Sequence, residues 1–347
     1  MRNATPGRGR RAAGLLLRVL VSALVIAPLG AWGALALWFR FPASEGLRAA
    51  TAVLFAALGL AAIVALFARR SLVGIGVFAA AFCALLIWWS TIKPPHDGDW
   101  APDVARQTTG TVAGDILTVS DVRDFDWRTD TDFTERWRRR TYDLSKLKTL
   151  DLFLAYWAGP EMAHVIMSFG FEDGDHIAWS VEVRREKSSV FSPIADAFKS
   201  HTLVYLATTE RDSVRLRTNV RGEDVRLYRL DTPPSQARLL LLEYASQSTA
   251  LAERPKFYNS ITANCATVVF KLVRAAGSTL PLDWRLVVNG FLPGYLYDHR
   301  AVVTTIPLSE LMERARISEQ ARAADGSPDF SRLIRVGVPS PWDPATK

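Results

Sequence analysis

Three uninterrupted apolar stretches occupy the N-terminal part of the chain, and they constrain how everything after them can fold. Residues 19–39 (VLVSALVIAPLGAWGALALWF), 49–68 (AATAVLFAALGLAAIVALFA) and 71–92 (SLVGIGVFAAAFCALLIWWSTI) contain no Asp, Glu, Lys or Arg. A helix needs roughly 20 residues to cross about 30 Å of hydrocarbon, where no backbone polar group can be left unbonded. Each stretch reaches that length. The sequence therefore predicts an N-terminal membrane domain over 1–93 with transmembrane helices over 19–39, 49–68 and 71–92. A cleaved signal peptide is the weaker reading, because the first stretch is longer than a typical apolar h-region and two equally long ones follow.

Lys and Arg in the short flanks set the orientation. Arg2, Arg8, Arg10 and Arg11 precede the first stretch, and Arg69 and Arg70 separate the second from the third. Between the first and second lie only Arg40 and Arg48, accompanied by Glu45. The basic flanks stay in the cytoplasm, so the chain from Lys93 emerges outside. This predicts a multi-pass membrane protein with residues 94–347 outside the cytoplasm. Trp38, Trp88 and Trp89 fall where an interfacial aromatic belt belongs. The net charge of +7 owes much to these anchors and does not argue for nucleic acid.

That topology makes the two cysteines informative. Cys83 lies inside the third stretch and Cys265 in the exported part, so they cannot pair. Cys265 is then a lone thiol in a compartment that tends to oxidise thiols. A buried cysteine can act as a small hydrophobe, so its context decides.

The exported part begins with a short turn-rich linker, PPHDGDW, over 94–100. From there to about Val338 it shows no internal repeat or low-complexity break. Residues 109–122 predict a hairpin turning at Gly114-Asp115. The basic cluster RWRRR follows over 136–140. Residues 234–252 carry Ala237, Leu240, Leu241, Tyr244 and Ala245 at helical spacing. DSVRLRTNVRGEDVRLYRL, over 212–230, alternates in a way that predicts two strands joined near Arg221-Gly222. Strands clustered apart from helices predict an α+β fold.

The stretch YNSITANCATVVFKLVRAAG (258–277) places Val268, Val269, Leu272, Val273 and Ala276 on one helical face. Gly277 suits the C′ position, and Lys271 and Arg274 suit the C-terminal end of the helix dipole. Thr262 or Asn264 can cap the N-terminus, which puts Cys265 in the first turn. There unpaired N–H groups and the positive dipole end favour thiolate over thiol. The same amides can stabilise an oxyanion, the amide of Cys265 first among them. Cys265 is therefore the candidate nucleophile.

A thiolate nucleophile needs a base, and the chain has five histidines. His96 lies in the linker, and His201 and His299 read as surface residues. The remaining two, His164 and His176, lie in AHVIMSFGFEDGDHIAWSVEVRRE (163–186), which predicts a β-hairpin. Val165, Met167, Phe169 and Phe171 share one face of it with Ile177, Trp179, Val181 and Val183. These bulky faces match only if odd positions pair with odd. A loop of Glu172, Asp173 and Gly174 achieves that with Gly174 left-handed. His164 then stands opposite Glu182, with Cβ atoms roughly 4.5–5.5 Å apart. Glu182 would orient the imidazole and stabilise its charged form. His176 sits at the turn end, so His164 is the preferred base. Glu172, Asp173, Asp175 and His176 read as solvated turn chemistry, and neither a metal nor a cofactor is expected. Arg184 and Arg185 are expected to border the site, and Arg136 and Arg138 to Arg140 are candidates for anionic headgroups.

The motifs DWAPDVA, VRDFDWRTDTDF, YDLSKLKTLDLFLAYWAGPEMAHVIMSFGF, SVEVRREK, ERDSVRLRTNVRGEDVRLYRL, YNSITANCATV, DWRLVVNGFLP and DFSRLIR together resemble the Lnb N-terminal periplasmic domain family, over roughly residues 99–337. The order of His164, a polar residue on the second strand and Cys265 at a helix start is also similar to the permuted papain-like arrangement of lecithin–retinol acyltransferase relatives. In those relatives the nucleophile helix reads NCEHF; here it reads NCATV. A histidine often fills their third polar position, where this chain offers Glu182. The resemblance implies a thiol acyltransferase or hydrolase outside the cytoplasmic membrane, with lipoprotein N-acylation as the associated activity and phospholipid or lipoprotein as substrate. Cys265 would form the thioester and His164 would act as base. Two alternatives stay open from the residues alone: a papain-like amidase or peptidase acting on cell-wall peptide, and a non-catalytic membrane-anchored scaffold.

Overall fold

Apolar length alone produces the first architectural feature. The computed structural model of the protein describes residues 6–68 and 71–343, and three of its helices are long and apolar enough to cross a membrane: Arg11–Arg40, Glu45–Phe67 and Leu72–Thr91. Arg2, Arg69 and Arg70, which carry part of the orientation argument, lie outside the described residues, as do the side chains of Arg8 and Arg10. The first helix widens to a π-type turn over Ser22–Ile26. That turn ends two residues before Pro28, whose missing N–H interrupts the regular ladder. The helix stops at Arg40, where Phe41 turns extended (φ −62°, ψ 127°), as expected for a residue preceding a proline.

Small residues let these helices approach. A Cβ on Gly30 would lie 3.8 Å from the Gly59 Cα, and one on Gly33 would strike the Phe55 ring at 2.2 Å. This is the small-residue packing by which helices associate in lipid, where apolar side chains gain nothing from leaving the solvent. The chain divides into two compact units, one running to Pro94 and including Ile194–Ser200, the other comprising Pro95–Pro193 and His201 onward. Within the first unit Phe198 stacks on Phe39 (centroids 5.6 Å apart), and Lys199 Nζ donates to the Trp89 carbonyl at 2.7 Å.

The second unit is α+β. Its eight-stranded sheet comprises β1 (Thr109–Ala113), β2 (Ile116–Arg123), β3 (Trp137–Asp143), β4 (Leu147–Tyr156), β5 (Ala163–Phe171), β6 (His176–Arg184), β7 (Thr202–Thr208) and β8 (Asp224–Arg229). The order is β1-β2-β7-β6-β5-β4-β8, with β3 also pairing β2. Only the β2–β7 contact is parallel. The β1–β2 hairpin turns at Gly114, whose φ is +61°, as its sequence predicts.

One sheet face carries Val165, Met167, Phe169 and Trp179 into the main core, beneath helices α2 (Pro234–Glu253) and α3 (Cys265–Ala275). The opposite face carries Phe153, Ile166, Val225 and Leu227 into a second core. That core is covered by α1 (Glu210–Arg215) and by residues near the C-terminus, among them Ile317, Phe330 and Ile334. The strand β5 is buried along its whole length because both faces are covered.

Residues 212–230 depart from the expected pair of strands. Only β8 is extended; α1 and a π-type turn over Leu216–Val220 occupy the first half. Thr209 caps α1, its hydroxyl accepting from the Asp212 amide at 3.2 Å. The Asp212 carboxylate, fully buried, accepts from the Arg123 guanidinium, the Phe125 amide and Trp127 Nε1. A buried carboxylate must have such partners, and a strand would carry it away from them. Tertiary demand therefore overrides a local alternation.

His201 departs as well. It is buried, 7% exposed, and its ring meets the Ser189 hydroxyl. It lies just before β7, whose residues are all buried, so the segment's own hydrophobicity takes it inside.

Candidate active site

The loop before α3 is stitched so that Cys265 has one possible place. The side-chain oxygen of Asn259 accepts from the Ile261 and Thr262 amides, and Asn264 Nδ2 donates to the Ser260 carbonyl. Asn264 is the N-cap. Its Oδ1 accepts from the Ala266 and Thr267 amides at 3.0 and 2.8 Å, while the Thr267 hydroxyl accepts from the Asn264 amide. This reciprocal capping occupies three of the helix's four unpaired amides, those of Asn264, Ala266 and Thr267. The Cys265 amide is therefore the donor of this first turn to consider for an oxyanion. At the other end Gly277 takes φ +94°, which only glycine adopts without strain.

The hairpin carries the candidate base. Met167 pairs with Trp179 and Phe169 with Ile177, and the Phe171 amide donates to the Asp175 carbonyl across a loop in which Gly174 has φ +85°. This register carries His164 to Glu182, with Nε2 2.9 Å from Oε1. Ser180, on the same face, stands between them: its hydroxyl is 2.6 Å from His164 Nε2 and donates to Glu182 Oε1 at 2.7 Å. His164 is 8% exposed and Cys265 is 9% exposed. The thiol and the imidazole lie near enough for each to shift the other's titration. With Nε2 engaged by Glu182 and Ser180, the other ring nitrogen is the one available to sulfur.

Two further residues complete the arrangement, and neither stands out in the sequence. Asn289 Oδ1 accepts from the Ala163 amide at 2.9 Å, and its Nδ2 donates to the Ala163 carbonyl at 2.6 Å and lies 3.8 Å from Cys265 Sγ. One side chain thus ties the 284–291 loop to the start of β5 and reaches the thiol. The next residue has to be glycine: a Cβ on Gly290 would stand 2.0 Å from the Pro160 carbonyl oxygen. An Asn-Gly pair reads as a turn in isolation; its only early signal is its place within DWRLVVNGFLP. The second residue is Arg217, whose Nη2 lies 3.5 Å from Glu182 Oε1 while Nη1 pairs with Glu223 at 3.1 Å. The strand expectation for 212–230 hid it.

Electrostatics within the cluster are mutually consistent. Burial and the Arg217 charge both oppose a protonated His164, yet the Glu182 carboxylate and the Cys265 contact outweigh them, and the ring's pKa is raised. Burial also opposes a thiolate at Cys265, but the hydrogen bond and charge of His164, with the Val165 amide, bring its pKa below the usual thiol range. Glu182 is held far below the ordinary carboxylate range, because His164, Arg217 and Ser180 overcome the cost of its burial. The arrangement favours a thiolate–imidazolium pair beside a permanent carboxylate.

A raised histidine pKa sets the alkaline limb of any activity that needs the imidazolium: function persists above the free value near ~6.5 and falls as pH passes the raised value. Glu182→Gln removes the charge that holds that limb up. The expected result is an alkaline limb displaced to lower pH, with a loss at neutral pH milder than removal of His164. A pH–rate profile identical to that of the unaltered protein would show that Glu182 does not act on the ring.

The other candidates lie elsewhere. His176 stays at the hairpin turn, its Nδ1 against the Gly174 carbonyl, while Asp175 and Asp173 cap local amides. Arg184 donates to the Val104 and Ala105 carbonyls and lies over Trp100, and Arg185 pairs with Asp103. Contrary to expectation neither touches Glu182; the residues at 100–105 draw both away, and Arg217 is the neighbouring cation. Arg138 and Arg140 pair with Asp124 and Asp175. His299 packs its ring against Tyr295.

Residues 133–290 match the family model described as the Lnb N-terminal periplasmic domain. No curated protein and no solved structure matches the chain. The family match and the three apolar helices together make this a membrane protein with a periplasmic domain.

Proposed function

We propose that this protein, whose residues 133–290 belong to the Lnb N-terminal periplasmic domain family, is a multi-pass enzyme of the inner membrane that transfers acyl groups through a thioester on Cys265. The observation that carries the proposal is the burial of a helix-start thiol close to an imidazole that Glu182 holds at 2.9 Å. The Cys265 thiolate attacks the ester carbonyl of a glycerolipid. A carbon–sulfur bond forms, the carbon–oxygen bond breaks, and the proton on His164 goes to the departing alkoxide to leave a lysolipid. An amine then attacks the thioester and gives its proton to the now neutral His164 as the thiolate departs. The Cys265 amide and Asn289 Nδ2, which lies 3.8 Å from the sulfur, are the donors assigned to the intermediate oxyanions. The family resemblance implies a lipoprotein amine as acceptor, and the likeness of the His164–Cys265 order to permuted papain-like enzymes fits the same pairing.

The test is the intact mass of the full chain in phospholipid nanodiscs, quenched in acid. One acyl increment on Cys265, removed by neutral hydroxylamine and accompanied by lysolipid, is the expected result. Cleavage of cell-wall peptide without any acyl adduct would replace the proposal with an amidase. A thiol that reacts with iodoacetamide at neutral pH no faster than a buried, unactivated one would leave a scaffold.

A further inference from the structure

A cavity of about 330 Å³ runs beside the proposed nucleophile and belongs to no step described so far. Its near wall is Val165 and Ala266, which directly follow His164 and Cys265 in the chain. From there it follows one face of α3 past Val269 and Val273 to Gly277, with Met167 from the sheet and Leu296 on the wall. Eleven residues separate Ala266 from Gly277, a helical rise of about 16 Å. The volume lies at the low end of small-ligand sites, roughly 300–1,000 Å³.

The chemistry of the wall selects the ligand. Along α3 the lining is aliphatic and aromatic, and the polar residues, Asp231, Thr232, Gln236, Ser278, Thr279, His299 and Arg300, belong to other segments. A peptide threaded here would lose water from its amides without gaining partners, which is costly. A hydrocarbon chain loses nothing polar. Val165 lines the cavity directly after His164 in the chain, so the wall begins at the proposed base.

We propose that this cavity holds the hydrocarbon tail of the transferred group, a fatty acyl chain lying along α3 with its carbonyl carbon at Cys265. The inference rests on the acyl-transfer reading of the thiol and adds a ruler to it. Val269 stands four residues past Cys265 and Val273 eight, so the ruler has marks at about 6 and 12 Å.

Two measurements on the full chain in nanodiscs test it. In the first, turnover of soluble acyl esters from acetyl to dodecanoyl rises roughly fourfold per added methylene, as burial of each one stabilises the bound state, until a plateau. The plateau comes at a shorter chain in Val269→Phe than in Val273→Phe. Because long- and short-chain rates are compared within one preparation, partial misfolding does not disturb the ratio. Turnover that depends on Cys265 but is indifferent to chain length, or plateaus that ignore both substitutions, would overturn the ruler while leaving the thioester proposal standing. In the second, a dodecanoate with a terminal diazirine is photolysed in Cys265→Ala protein. Label is expected on the distal part of α3 and on residues 292–298, and label confined to the three membrane helices would refute the site. If no ester is turned over in a Cys265-dependent way, the thioester proposal fails and the crosslink alone decides whether the cavity binds acyl chains.

Discussion

Cys265→Ala is expected to abolish both the acyl adduct and turnover, and His164→Ala to reduce turnover by about 10²–10⁴-fold, the usual contribution of a positioned general base. Losing the nucleophile is expected to cost at least as much, on the order of 10⁶-fold where one has been removed from a comparable unit. The fold is expected to survive both changes. Cys265 is packed as a small apolar group within a large core, and alanine keeps the helix start that Asn264 caps. In His164→Ala, iodoacetamide labelling of Cys265 at neutral pH should also slow, because the thiol loses the partner that lowers its pKa. Thermal unfolding of each variant, measured beside turnover, separates chemistry from folding. Activity in Cys265→Ala equal to that of the unaltered chain would remove the nucleophile and with it the mechanism.

Arg335→Met is expected to destabilise the periplasmic unit by about 3–5 kcal/mol, the cost of leaving a buried charge without its partner. The Arg335 guanidinium pairs with Asp151 at 2.8 Å and with Glu210 at 2.5 Å; Arg229 pairs with Asp151 and the Ser168 hydroxyl donates to Glu210. Asp151 and Glu210 are both fully buried. Burial raises the Glu210 pKa, but Arg335 outweighs it and the net shift is downward. In the unaltered chain this carboxylate therefore stabilises the fold above its unfolded value of about 4.3, and that stability is lost as pH falls through the depressed folded value. Without Arg335 the burial term wins and the sign reverses, so the variant should be less stable at pH 7 than at pH 5. Urea unfolding at the two pH values measures this. The consequence reaches the site, because Glu210 opens the helical segment that carries Arg217 to Glu182. Equal stability of the variant at both pH values would show that Glu210 does not depend on Arg335.

Much of the site is legible locally. Parity of bulky side chains, together with one glycine able to take a positive φ, sets the 163–184 register and so brings His164 to Glu182. Asn264, Thr267 and Gly277 punctuate the cysteine helix in the chain itself. Where local pattern misled, a distant partner was responsible. Residues 212–220 alternate like a strand but become helical because Asp212 answers to Arg123, Phe125 and Trp127, some 85 to 89 positions away. His201 reads as a surface residue but is buried just ahead of a wholly buried strand. Arg184 and Arg185 adjoin Glu182 in sequence but are captured by 100–105.

By itself, then, the sequence determined the three apolar helices, the hairpin pairing and the capped turn that presents Cys265. These follow from length, period and backbone preference within a few tens of residues. Only the tertiary structure decided that Asn289 reaches the thiol, that Arg217 faces Glu182 and that a cavity opens along α3. Each of these joins segments far apart in the chain, and such contacts depend on how packed elements exclude water from buried polar groups, which no local window encodes.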